Sequence, residues 1–148
     1  QALDLVGRKL ASNGGRAVFS FFAELEDFLG TAGDDAELQP FVEGLTTVKG
    51  QLQEGTNWLM QNGMSDFNNA GASSHDYLHL FGLTALCFMW ARMAKVAIEK
   101  KADGDPFYDE KLMTGQYFLD RMLPDAAAHL AKVKTGAKSM MALSADQF

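Results

Sequence analysis

With 148 residues, 47% of them hydrophobic, the chain can bury one proper core and is too short for a multi-domain enzyme. Its formal net charge is −6 and its 13 Lys and Arg are scattered, which leaves no electrostatic footprint for nucleic acid or anionic lipid. The single cysteine, Cys87, excludes an intramolecular disulfide framework and fits a reducing compartment, so the expected location is the cytoplasm.

The opening "QALDLVGRKL" has neither the apolar run nor the cleavage site of a signal peptide. Starting at Gln1 rather than Met, it points to a lost leader or to a piece of a longer polypeptide. Leu3, Leu5, Val6 and Leu10 are apolar from the first turn with no capping residue before them, the pattern of a helix that begins upstream. After "ASNGG", with Asn13 as candidate cap, Val18, Phe21, Phe22, Leu25, Phe28 and Leu29 form one buried helical stripe that should end near residues 30–33.

A second helix is expected from Asp35, or from Gln39 with Pro40 in its first turn, to a stop at Gly63. Its stripe is Phe41, Leu45, Val48, Leu52 and Leu59. "MSDFNNAGASS" reads as a polar connector, with Ser73 or Ser74 capping a third helix that is apolar on nearly every side from Tyr77 to Ile98. The uncharged run from Leu80 to Ala91 falls short of the ~20 residues of a membrane span, so no span is expected and this helix should be central.

"KKADGDP" supplies the next turn, with Asp105 as cap and Pro106 as first helical residue. The last long helix should bury Leu112, Leu119, Met122, Ala126, Leu130 and Val133 and kink at Pro124. The tail "TGAKSMMALSADQF" is expected to be docked or frayed. The predicted class is all-α: an antiparallel bundle of about four long helices plus a short N-terminal helix end.

Candidate sites are few. Glu54 in "QEGTN" lies roughly 145° from the buried stripe of its helix, which makes it a solvated carboxylate rather than a desolvated general base. His75 and His79 have the i, i+4 spacing of a metal-binding pair, yet no matching His, Cys or acidic pair supplies further ligands, so no metal is expected. A capping or interface role is the simpler expectation for both histidines. Cys87 reads as a small buried hydrophobe, since nothing nearby in sequence would lower its pKa. By its residues alone the chain is not an enzyme, and its over-apolar third helix calls for a partner surface.

"QALDLVGRKL", "SSHDYLHLFGLTALCFMWARMAK" and "FYDEKLMTGQYFLDRMLPDAAAHLAKVKTGAKSMMAL" together resemble the C-terminal extension of bacterial acyl-CoA dehydrogenases of the 3-methylmercaptopropionyl-CoA dehydrogenase-like subfamily. The resemblance implies that residues 1–12 are the tail of the preceding dehydrogenase helical domain and residues 13–148 an accessory helical domain. It places the catalytic Tyr-Glu-Gly-Thr glutamate upstream of Gln1, so that Glu54 is a decoy and no catalytic residue lies in this chain. It further implies a full-length parent that uses FAD to dehydrogenate an acyl-CoA thioester in fatty acid metabolism. That parent would form a homo-oligomer and pass electrons to an electron-transfer flavoprotein. The alternative is an autonomous four-helix binding module without catalytic activity.

Overall fold

The computed structural model describes residues 1–147, which form helices and turns with no strand among them. The N-terminal segment is a short helix, α1 (Ala2–Asp4), that widens into a π turn over Leu5–Lys9 and buries Val6 and Leu10. Asp4 accepts from Arg8 Nε at 2.6 Å, and this hydrogen bond holds its carboxyl down at about 2. Asn13, Gly14 and Gly15 then adopt φ of 51°, 66° and 81° in succession, reversing the chain. Asn13 is therefore part of a left-handed turn, not the cap of the next helix. Gly15 occupies that cap position, where a Cβ would stand 3.0 Å from the Phe19 ring.

Four pillars follow. The first is α2 (Arg16–Thr31), the second α3 (Gln39–Asn62) and the third α4 (Phe67–Lys100). The fourth is split into α5 (Pro106–Arg121) and α6 (Asp125–Thr135). Cross-pillar contacts give the directions. On α3, Gly55 faces Leu80 and Tyr77 while Gly44 faces Cys87, so α3 and α4 are antiparallel. Lys101 pairs with Asp109 and Trp90 stacks on Phe118, so α5 also runs against α4. Phe21 stacks on Phe81 and Phe28 meets Phe88 edge-on, which sets α2 alongside α4 in the same sense. The expected stripe of α3 is buried throughout, and α4 is the helix that touches every other pillar.

The third helix begins earlier than its sequence pattern suggests. Asp66, extended at φ −142°, ψ 110°, caps it by accepting from Asn68 N at 2.9 Å. Ser73 and Ser74 are not caps; both are buried inside the helix. The polar residues of "FNNAGASS" instead complete the far end of α6. Ser73 Oγ donates to the Val133 carbonyl at 2.8 Å, and Asn69 Oδ1 accepts from Ala137 N at 2.9 Å. These bonds satisfy backbone groups that a helix end leaves open, which is why a stretch that looks like a loop is helical. At its full 34 residues, α4 is long and apolar enough by length and composition to cross a membrane, although its packing against three helices accounts for its inner side.

Pro124 does more than kink the last helix. The α5 ladder ends at Arg121, Leu123 N bonds back to the Phe118 carbonyl at 3.0 Å, and α6 restarts at Asp125 with Pro124 at its cap position. Phe118 takes the buried place expected of Met122, which the break turns outward. Beyond α6, Gly136 and Ala137 are buried while Met140, Met141 and Leu143 are exposed.

Candidate functional site

The triplet Glu54-Gly55-Thr56 separates into three unrelated roles. Glu54 is exposed and its carboxylate pairs with Lys134 on α6. Gly55 sits at a helix crossing, where a Cβ would come 3.2 Å from Leu80 Cδ2. Thr56 is buried, donates to the Leu52 carbonyl at 2.7 Å and lies 2.7 Å from the Tyr77 hydroxyl. Burial pushes the Tyr77 phenol up to about 12, against the opposing pull of the Thr56 hydrogen bond. Cys87 lies in the core, where desolvation pushes its thiol up to about 12 and keeps it protonated.

His75 and His79 are joined by the third histidine of the chain, His129, which comes from α6. The His75 and His79 ring centroids are 4.4 Å apart, and His79 and His129 stack at 5.1 Å with only 13° between their planes. His129 Nδ1 lies 2.8 Å from Asp76 Oδ1, and Lys132 Nζ approaches the same oxygen at 3.6 Å. A metal requires ring nitrogens whose lone pairs converge on one point about 2.0–2.1 Å away, whereas stacked, nearly parallel rings aim side by side. Among the described residues no group of three or more such side chains is arranged to hold a metal ion. The cluster is a strut between α4 and α6. Sequence spacing could not reveal it, because His129 lies about fifty positions from its partners.

The outstanding surface feature is the outer face of α4. Leu86, Met89, Met93 and Val96, on the central helix, are 47%, 41%, 38% and 51% exposed. Phe107, Tyr108 and Lys111 on α5 complete a groove of about 630 Å³ beside Met89, Arg92 and Met93. Arg92 lies over the Phe88 ring at 5.5 Å, and Lys111 over Trp90 and Phe107 at 5.8 and 5.4 Å. A second apolar groove, of about 400 Å³, opens between the N-terminal turn and α3, lined by Val6, Leu10, Leu59, Met60 and Phe67.

The fold thus defines an all-helical domain whose candidate side chains are taken up by core and surface contacts. The chain belongs to the family described as acetyl-CoA dehydrogenase C-terminal like, whose model matches residues 21–144. It is also similar to 3-methylmercaptopropionyl-CoA dehydrogenase of Ruegeria pomeroyi (strain ATCC 700808 / DSM 15171 / DSS-3), with 27% identity over 150 residues. That alignment covers 97% of this chain and 25% of the relative, so the chain spans about a quarter of the relative's length. The family expected from the sequence resemblance is thereby established.

Proposed function

We propose that this chain is the accessory C-terminal domain of a longer FAD-dependent acyl-CoA dehydrogenase, with a packing role carried by its outer apolar face. The family match across residues 21–144 is the observation that carries this reading. The relative is named as a dehydrogenase of an acyl-CoA thioester, and by the resemblance set out above a full-length parent would oxidise such a thioester between its α and β carbons. Residues 1–12 are the tail of the preceding helical domain and residues 13–148 the accessory domain. The catalytic glutamate and the flavin site lie outside the chain, in a cytoplasmic homo-oligomer that hands its electrons to an electron-transfer flavoprotein.

The residues present do not fit a flavin dinucleotide. The N-terminal groove has no charged lining residue for a pyrophosphate, and no glycine lines the α4 groove to bring backbone donors close to one. No catalytic step is therefore assigned to this chain. The test expresses residues 1–148 alone and measures FAD binding and acyl-CoA dependent dye reduction. Both should be absent, and turnover by the isolated chain would overturn the proposal. The open reading frame offers a second check: coding sequence that reaches Tyr-Glu-Gly-Thr shortly before Gln1 is expected, and a short leader peptide there would favour an autonomous binding module.

A further inference from the structure

We infer that the outer face of α4 receives an amphipathic α-helix whose apolar seam is flanked by carboxylates. This deepens the packing role proposed above and rests on that role, not on the dehydrogenase chemistry.

The first argument is spacing. Gly82, Leu86, Met89, Met93 and Val96 follow one another at intervals of four, three, four and three, a heptad spacing whose last four members are apolar side chains. All five are exposed, while Tyr77, Leu80, Thr84, Cys87, Ala91 and Ala94 bury the other side of the same helix. Phe81, Phe88 and Trp90 meet α2 and α5, so Leu86, Met89, Met93 and Val96 lie outside the aromatic contacts that hold the pillars together. A second apolar repeat of 3.5 residues is the pattern by which one helix meets another at a shallow angle of about 20°. Loops and strands make no use of that period. Within the seam, a Cβ built on Gly82 has no atom within 4 Å, so a neighbouring helix has room to approach there.

The second argument is charge. In a chain of net charge −6, the charged residues lining the groove on this face are Arg92 and Lys111, both cations. Glu99, seven residues beyond Arg92 on the same flank, lies outside the groove. A second copy would set this cationic rim against its own image, whereas a helix with acidic flanks meets it with opposite charge. The occupant is therefore a helix of complementary charge.

The test titrates the 148-residue chain with two labelled four-heptad peptides that share one Leu/Ile seam and carry either Glu or Lys at the flanking positions. Fluorescence anisotropy should show the Glu peptide binding at least roughly tenfold tighter, with the gap narrowing as salt is added. M89E and M93E should abolish binding, and R92E together with K111E should reverse the preference, each with an unchanged circular dichroism spectrum. Equal binding of both peptides overturns the acidic assignment while sparing the packing role. Failure of both overturns the helical occupant and the packing role with it. Sedimentation showing self-association that M93E abolishes assigns the face to a second copy, and vesicle binding that M93E abolishes assigns it to lipid; either overturns the inference. None of these readouts depends on flavin or acyl-CoA.

Discussion

The hydroxyl of Tyr77 on α4 meets that of Thr56 on α3 at 2.7 Å, and Thr56 in turn donates to the Leu52 carbonyl at 2.7 Å. Because Thr56 spends its proton on Leu52, the phenol donates to Thr56, and a three-member chain of buried oxygens is satisfied. T56V keeps the shape but strands the Tyr77 hydroxyl in the core. It should destabilise the domain by about 1–3 kcal/mol in urea unfolding, and Y77F by less, about 0.5–1.5 kcal/mol. The double variant T56V/Y77F should cost less than the two singles combined, because no stranded group remains.

Alkali should unfold the domain through two core groups. Tyr77 and Cys87 both have folded pKa values of about 12, above their ordinary values of 10.0 and 9.0. A raised folded pKa means that the unfolded chain gives up its proton first, so stability is intact below about pH 9 and falls as pH rises toward 12. The midpoint of urea unfolding measured from pH 8 to pH 11.5 should decline over that range, and C87A/Y77F should flatten the curve. Native Cys87 should also resist a maleimide at pH 8 until urea is added.

Gly115 is held to glycine by the ring of Phe41. A Cβ there would stand 2.7 Å from Phe41 Cε1, 2.8 Å from Cζ and 3.2 Å from Trp90 Cε3. Overpacking of this kind costs about 1–3 kcal/mol, enough to outweigh the gain that alanine brings in a helix. G115A should therefore lower the thermal midpoint, whereas G50A, on the open side of α3, should raise it slightly.

The two candidate starts of α4 separate by mutation. D66A removes the observed cap and should cost about 1 kcal/mol. S73A should weaken the join to α6, leaving the Val133 carbonyl without its side-chain donor, while leaving the first turn of α4 intact. Amide exchange distinguishes the two outcomes: the first variant opens residues 67–70, the second the end of α6.

Glu54 should be dispensable. Its pairing with Lys134 joins two half-exposed side chains, and such pairs contribute between nothing and about 1 kcal/mol. E54Q should shift stability by no more than that and, in the longer dehydrogenase proposed above, leave the turnover number unchanged. A loss of turnover with normal stability would show that the triplet does chemistry after all.

Much of the architecture was legible from periodicity. The stripes of α2 and α3 and the Asp105-Pro106 start of α5 follow from local rules that tertiary contacts did not override. The misplaced start of α4 has a different cause. Asn69 and Ser73 look like loop residues because their partners, Ala137 and Val133, lie 68 and 60 positions away. His129 escaped notice for the same reason. The heptad seam was present in the sequence, but the inner stripe of α4 overlies it, so the helix reads as apolar all round unless both periods are sought.

The bonds from Asn69 and Ser73 to the end of α6 also bear on how the domain assembles. They make the entry of the longest helix into the closing piece of the last one, so neither end is complete while the other is absent. With Gly136 at φ 62° beneath the Trp58 ring, the two ends and the close of α3 share one knot of contacts. Fraying at that corner has to release three helices together, which ties local opening there to global unfolding and keeps the C-terminal part from peeling away stepwise.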